Sequence, residues 1–327
     1  MTYPQTHARH PVNWGILGTG RIASTFARDI GFVENSRLLA VASRETEKAE
    51  DFADEYGIEQ ALTGYNSLLN QANIDAVYVA TPHNMHYDNV KAALLANKHV
   101  LCEKPMTISP EQTAELVALA MEKQRFLMEG MWTFFLPAIE KAKEWIDRGL
   151  IGPIQSIKAE MGFAIPFDAN SRLYSPALAG GCLLDIGIYP LALNLLFNNG
   201  APLAMDVVAG HAPNGVEDDL SMVLHYKDKE VQLAASFEHR LSNQAVIEGE
   251  RGRVVIPNFW KAEQSTLYRE DAPVEHFVDD RAGSGLEFEI GAAAKAILAG
   301  QLESPVMPWH NSLTLAKQMA SIQEKIT

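Results

Sequence analysis

Over the first 130 residues, short apolar runs of strand length alternate with segments of helix length. The runs cover residues 12–17, 38–42, 61–63, 75–80, 98–102 and 126–129, and their apolar character suits strands buried on both faces. Between them, residues 53–56 finish a helix, 65–70 form a short one and 87–96 an amphipathic one. A further helix should run to about residue 124. Ser109 stands where its oxygen can accept a free N–H of the first turn, and Pro110 suits the first helical position, where its missing N–H would have been unpaired anyway. Strand–helix–strand alternation at this spacing predicts a doubly wound parallel sheet.

After Phe135 the texture changes. A helix over 137–148, closed by Gly149, leads to runs of period two at 155–163, 220–226, 231–237 and 244–248. Turn residues at 227–229 and 250–252 separate them, which predicts a large, mostly antiparallel sheet with helix on one face and the other face open, a natural dimer surface. The fold class expected is α/β with two domains, residues 1–134 and an α+β domain at 135–327. A last helix at 312–325 is expected to pack back on the first domain.

The turn after the first strand carries Gly18-Thr19-Gly20-Arg21-Ile22-Ala23, the G-x-G-x-x-A form of a dinucleotide fingerprint. The first glycine allows the tight turn, the second lets backbone approach a pyrophosphate, and Ala23 lets the helix pack closely on the strand. Free N–H groups and the positive dipole end at the helix start favour the anion. At the end of the second strand an acid would mark NAD by accepting the ribose 2′-hydroxyl. Ser43 and Arg44 stand there instead, with Lys48 four residues on, and a hydroxyl with two cations suits the 2′-phosphate of NADP. Glu45 keeps NAD open, and Arg44 and Lys48 could equally belong to a solvated helix face beside Glu45, Glu47 and Glu50.

Composition narrows the partners. With 327 residues, 47% apolar and 21% charged, the chain is long enough for two globular cores. A formal net charge of −14 argues against nucleic acid, whose phosphates need a basic surface. Met1 to His10 lack the apolar core of a signal peptide, and the most apolar stretch, 183–197, is broken by Asp185 and Pro190, so no membrane association is expected. Two cysteines, Cys102 and Cys182, are too few for a disulfide framework or a thiolate zinc site, which points to a reducing cytoplasm and no metal.

Ligands of open α/β sheets bind beyond the carboxyl ends of the strands, and two such ends lead into Thr81-Pro82 and Glu103-Lys104-Pro105. Together with the fingerprint, the Thr81-Pro82-x-x-x-His86 turn, Glu103-Lys104-Pro105 and the run Gly180-Gly181-Cys182-Leu183-Leu184-Asp185-Ile186-Gly187-Ile188-Tyr189 resemble the glucose-fructose oxidoreductase/inositol dehydrogenase (Gfo/Idh/MocA) family over nearly the whole chain. Met128-Glu129-Gly130-Met131-Trp132-Thr133 and Ser304-Pro305-Val306 look most like its dimeric dihydrodiol dehydrogenase and NADP-dependent D-xylose dehydrogenase branch.

The resemblance implies hydride transfer between a nicotinamide and a secondary hydroxyl or carbonyl of a sugar, trans-dihydrodiol or small polyol. With it Gly18, Thr19, Gly20, Arg21, Ile22, Thr81, Pro82, Glu103 and Lys104 are expected at the cofactor, joined by Ser43, Arg44 and Lys48 from the ribose reading above. It makes Tyr189 the acid/base group, since the hydroxyl proton must move with the hydride. A charged Lys104 nearby would lower the phenol from its reference pKa of about 10 and would stabilise developing oxyanion charge. Asp185, four residues before Tyr189, is expected to share its helix face and pair with Lys104 or substrate, although Pro190 disturbs that helix. His86 is expected at substrate or nicotinamide, and the Lys104–Pro105 bond is expected to be cis.

Trp132, Phe134 and Phe135 line an apolar substrate wall or a domain-junction core, and Arg172 binds a substrate oxygen or lies on a solvated loop. Inositol dehydrogenases carry histidine where Tyr189 stands, which favours the sugar and dihydrodiol reading. Two other readings stay open: a non-catalytic NAD(P)-binding sensor of the same fold, and a glycosidase that borrows the nicotinamide transiently.

Overall fold

The computed structural model describes residues 10–198 and 200–326, so most of the segment read for a signal peptide, residues 1–9, lies outside it. Six strands, β1 (Val12–Leu17), β2 (Ser36–Ser43), β3 (Gln60–Thr63), β4 (Ala76–Val79), β5 (His99–Glu103) and β6 (Leu127–Gly130), form one parallel sheet in the order β3-β2-β1-β4-β5-β6. The order reverses between β1 and β4, the position at which sheets of this kind bind ligands beyond the carboxyl ends of their strands. Helices α1 (Arg21–Asp29), α2 (Thr46–Tyr56), α3 (Tyr65–Leu69), α4 (His86–Leu95) and α5 (Pro110–Lys123) connect the strands. Ser109 caps α5 as expected, its hydroxyl accepting from the Gln112 N–H at 3.2 Å, with Pro110 directly after it.

The chain then forms α6 (Pro137–Asp147), β7 (Ile154–Gly162), α7 (Ile188–Phe197) and seven further strands: β8 (Ala204–His211), β9 (Glu217–His225), β10 (Glu230–Ser236), β11 (Gln244–Gly249), β12 (Gly252–Pro257), β13 (Gln264–Arg269) and β14 (Ala272–Val278). They make an eight-stranded sheet, β14-β13-β12-β11-β7-β10-β9-β8, antiparallel except where β10 runs parallel to β7. Period two shows in the burial: Val231, Leu233 and Ala235 of β10 point into the core, while Glu230 and Gln232 face the open side. Helices α6 and α7 cover the inner face, α6 over β12 to β14 and α7 over β7 and β10. The apolar stretch 176–197 that contains α7 is 72% buried, so its apolarity serves the protein interior.

Two helices close the chain, α8 (Leu286–Leu298) and α9 (Trp309–Ile326). Asp29, at the end of α1, accepts from the N–H groups of Ser284 and Leu286 at 2.9 and 3.1 Å, and so caps α8 from the nucleotide-binding side. Helix α9 packs against α5 and α7, and the Trp309 indole donates to the Leu127 carbonyl at 2.9 Å. Under α1, Phe26 stacks on Tyr78 with centroids 4.1 Å apart and meets Trp14 edge-on. Each ring is fully buried and contributes about 2 kcal/mol by the area it removes from water. This packing ties α1 to β1 and β4.

Candidate active site

Gly18 ends β1 at φ +107°, and a Cβ there would stand 2.7 Å from the Ala80 carbonyl oxygen, so only glycine lets the turn close against the end of β4. Beyond it, Gly20 precedes α1 without a side-chain cap and without an acidic residue in the first turn. A Cβ on Gly20 would meet nothing within 4 Å. The helix start therefore presents unpaired N–H groups to an open surface above the strands, which fits a pyrophosphate. Thr19 and Ile22 are half-buried beside it and Arg21 is exposed.

At the end of β2, Ser43 is buried and its hydroxyl accepts from the Glu45 N–H at 3.3 Å, while Arg44 is exposed and makes no hydrogen bond or ion pair among the described residues. Arg44 also lies close enough to Tyr65 to favour that phenol's ionised form against the burial that raises it. Lys48 differs from expectation. It is exposed on α2 and paired with Glu45 at 2.7 Å, so it already has an anionic partner on the helix face, and the 2′-phosphate reading falls to Ser43 and Arg44.

Beyond β4, Thr81 is buried and accepts from the Asn89 amide at 3.0 Å, next to a half-buried Pro82. His86 has to be corrected. Its ring is fully buried, with Nδ1 2.7 Å from the Pro105 carbonyl and Nε2 2.7 Å from the Thr81 carbonyl, so neither nitrogen is left for substrate or nicotinamide. It braces the turn after β4 against the turn after β5. His83, which the sequence reading passed over, faces the site instead: Nε2 lies 3.9 Å from Asp185 Oδ1, and burial, followed by Lys104 and His86, lowers its pKa to about 3 and keeps it neutral. The threonine-proline frame contains two histidines one helical turn apart, and spacing alone does not say which points inward.

The turn after β5 carries Lys104 on a cis bond to Pro105, as the resemblance implies. Its ammonium donates to the Asp185 backbone carbonyl, lies 3.9 Å from Asp185 Oδ1 and sits 5.0 Å from the centre of the Tyr189 ring. Burial pushes the lysine's pKa down, and Asp185 and Glu103 oppose that shift. Asp185 also takes the Arg172 guanidinium at 3.0 Å. Burial alone would raise the Asp185 carboxyl, but Lys104, Arg172 and His83 outweigh it and hold its pKa below the ordinary value. Arg172 is thus tied to the site by its tip although over half of its side chain is exposed.

Asp185 and Tyr189 reach Lys104 by a route that four-residue spacing does not describe. Residues Leu183–Gly187 form a π-helical turn that runs directly into α7. Pro190 has no N–H for the Ile186 carbonyl and its ring would crowd that oxygen, so the widened turn is where the helix accommodates it. Upstream, Gly180 lies so close to the Leu173 carbonyl that a Cβ would come within 2.6 Å, which ties this turn to the loop carrying Arg172.

The expected effect of Lys104 on Tyr189 is also corrected. The ammonium lies over the ring, and the phenol pKa is raised well above its ordinary value by burial, then by Glu103, Asp185 and Glu289. Trp132 works the other way: its indole N–H is buried without a well-formed hydrogen bond, yet lies near enough the phenol to favour ionisation. Phe134 and Phe135 are buried in the core at the domain junction and line no open wall. Behind Lys104, Glu103 accepts the Tyr78 hydroxyl, and Glu129 accepts the Met106 N–H at 2.8 Å. Burial raises both carboxyls. Cys102 and Cys182 are buried free thiols whose pKa burial pushes up, so neither is poised as a nucleophile.

This constellation sits on a chain that matches two family models, an oxidoreductase family with NAD-binding Rossmann fold over residues 12–131 and the GFO/IDH/MocA C-terminal domain over residues 139–255. The chain belongs to the Gfo/Idh/MocA oxidoreductase family. Among its relatives, the trans-1,2-dihydrobenzene-1,2-diol dehydrogenase of Xenopus laevis is 32% identical over 323 residues, covering 96% of this chain and 97% of the relative. The Homo sapiens enzyme of that name is 31% identical over 330 residues, with 96% and 97% covered.

A 3-ketoreductase from Actinomadura kijaniata, solved with NADP and TDP-benzene, superposes with a TM-score of 0.86 at 29% identity, over 96% of this chain and 98% of that one. An aldose-aldose oxidoreductase from Caulobacter crescentus, at TM-score 0.88 and 23% identity over 97% and 98%, shares the fold. Family membership places the protein among NAD(P)-dependent oxidoreductases that act on CH–OH groups.

Proposed function

We propose that this protein is an NADP-dependent reductase or dehydrogenase that interconverts a secondary alcohol and its ketone on a sugar, a trans-dihydrodiol or a related small polyol. The observation that carries this is the meeting of Lys104, from the nucleotide-binding sheet, with Asp185 and Tyr189, from the second domain, at the carboxyl ends of β4 and β5. A sensor would need the cofactor cradle alone. Here a buried cation, its carboxylate and a protonated phenol also stand together.

NADP, when bound, supplies or accepts the hydride. Gly18, Thr19, Gly20, Arg21 and Ile22 form the phosphate cradle, Ser43 and Arg44 stand at the adenosine ribose, and Thr81, Pro82 and Glu103 form the strand-end floor. The chain's own part is to handle charge and the proton. Lys104, held by Asp185, donates to the substrate oxygen and stabilises negative charge on it, while the neutral Tyr189 gives that oxygen its proton in reduction. Arg172 and Trp132 stand at the rim as substrate contacts.

The relatives named for dihydrodiols and the ketoreductase solved with NADP support both the substrate class and the cofactor. Incubating the protein with NADPH and a panel of ketoses, aldoses and α-hydroxyketones, and with NADP and the corresponding diols, tests the reading. Steady absorbance change at the nicotinamide band is the expected result, and tight NADPH binding with no turnover across the panel would move the protein to the sensor class. Arg44→Ala is expected to weaken NADP about tenfold and NAD hardly at all, as for the loss of one charge-assisted pair. Equal losses, measured by titrating both cofactors, would remove Arg44 from the 2′-phosphate.

The protein works as a homodimer through the open face of the eight-stranded sheet, where Ser156, Lys158, Val223, Val246 and Glu248 are only partly covered by the chain itself. Sedimentation equilibrium should give twice the chain mass, and Val246→Arg should return it to monomer. A wild-type monomer would refute the assignment. Its two buried free thiols suit the cytoplasm.

A further inference from the structure

Glu289 is a carboxyl of this region that the proposed chemistry has not used, and its two oxygens set it apart. It lies on α8, has no exposed surface, and neither carboxyl oxygen finds a hydrogen-bond partner in the protein. Buried polar groups are nearly always satisfied, so two unpaired oxygens on one fully buried side chain call for a reason. The groups within electrostatic reach of it are Glu103 from β5, Tyr78 from β4 and Tyr189 from α7. At the first turn of α8, Asp29 and Glu287 are occupied by backbone N–H groups. Glu289 is therefore buried with both oxygens unpaired, within electrostatic reach of the acid/base tyrosine, a second phenol and a carboxyl. A single water there would have the two to four polar partners that an ordered buried water needs.

We propose that Glu289 holds the proton that restores Tyr189 after each reduction, passing it through one bridging water. This rests on the reading of Tyr189 as the proton donor. In the forward step the substrate ketone takes a hydride from the reduced nicotinamide and the hydroxyl proton from Tyr189, leaving a phenolate. The Glu289 carboxyl proton then moves across the water to the phenolate, leaving a carboxylate, which regains a proton from solvent when the cleft releases product. Burial, then Glu103, raises the Glu289 carboxyl well above its ordinary value, so it carries this proton at neutral pH. Tyr189 is almost wholly shielded, and an internal source lets it recover before the site opens. Glu289 acts through Tyr189 and touches no substrate.

Glu289→Gln keeps size and neutrality but removes the proton. Stopped-flow mixing of the NADPH-loaded variant with a ketone substrate should show a first turnover within about twofold of wild type, followed by steady turnover slowed roughly tenfold or more with an enlarged solvent isotope effect. That is the low side of what a lost proton-transfer group costs. Glu289→Asp, which keeps an ionisable carboxyl, should recover part of the loss. Two readouts are independent of turnover. The infrared band of a protonated carboxyl should be present in the ligand-free protein at pH 8 and missing in Glu289→Gln.

The variant should also melt higher than wild type, by a margin that grows as pH rises from about 4. A carboxyl whose folded pKa is raised gives its full stability below the unfolded value and loses it as pH climbs toward the folded one, and glutamine does not titrate. An unchanged steady rate, a first turnover slowed as much as the later ones, or no loss of the carboxyl band would each overturn the proposal. If Glu289→Gln does not fold, Glu289→Asp decides by the same progress curve, an unchanged steady rate counting against it. Wild-type protein that binds NADPH but reduces no ketone would instead undo the functional reading, which separates the two failures.

Discussion

Tyr189→Phe is expected to lower turnover at least ~100-fold while NADP affinity and the folding transition stay near wild type, the lower end for loss of an acid/base group. The substitution removes one oxygen from a ring that is 8% exposed and leaves its contacts beneath Lys104 in place. The pH dependence follows from the direction of the Tyr189 shift. Burial, then Glu103, Asp185 and Glu289, hold the phenol protonated through the neutral range. Reduction needs that protonated form and should run without an inflection from this group up to alkaline pH. Oxidation needs the phenolate and should rise with pH over the same span. Steady-state rates in both directions between pH 6 and 10 test this, and a variant that keeps near-normal turnover would show that another group moves the proton.

Lys104→Met should cost turnover a similar factor, at least ~100-fold, by a different route. The lysine's buried ammonium lies 5.0 Å from the centre of the phenol ring, and such a cation aimed at developing oxyanion charge works in a medium that screens it poorly. Methionine keeps the length and apolar stem, so the fold should hold, but Asp185 then loses one of its two main cationic partners and keeps Arg172. Affinity for substrate should fall with turnover, since the lysine contacts the oxygen in ground and transition states alike. Cofactor titration by fluorescence should show NADP binding retained. A variant that fails to bind NADP would place the lysine in the cradle alone and remove it from the chemistry.

Much of the architecture was legible along the chain because strands and helices leave periods of two and 3.6 in local sequence. The apolar runs at 12–17, 75–80 and 98–102 became β1, β4 and β5 with ends shifted by a residue at most, and the Gly18 turn sits where its glycines required. The parallel pairing of β7 with β10 was not legible, since a strand's pattern names its buried face and not its neighbour. Nor was the π-turn at Leu183–Gly187, although Pro190 signalled that a regular helix would not pass there.

The site divides in the same way. Lys104, Asp185 and Tyr189 were recognisable as chemistry-bearing residues in fixed motifs, and nearness to a strand end follows from a few residues of local chain. The assignment of His86 to the substrate, of Lys48 to the phosphate and of a lowered pKa to Tyr189 each depended on what surrounds a side chain in space. His86 is held between two carbonyls, Lys48 has Glu45 beside it on the helix face, and burial with Glu103, Asp185 and Glu289 raises the Tyr189 phenol that Lys104 was expected to lower.

Glu289 shows the limit most clearly: in the chain it is one of two acids on a helix, and only folding sets it near Glu103, Tyr78 and Tyr189. Residue order is enough for element type, the phosphate-binding turn and the cast of reactive side chains, because these depend on neighbours within one or two turns. Charge state and partnership come from contacts between residues such as Lys104 and Asp185, 81 positions apart, whose desolvation and Coulomb terms exist only once the two domains close on each other.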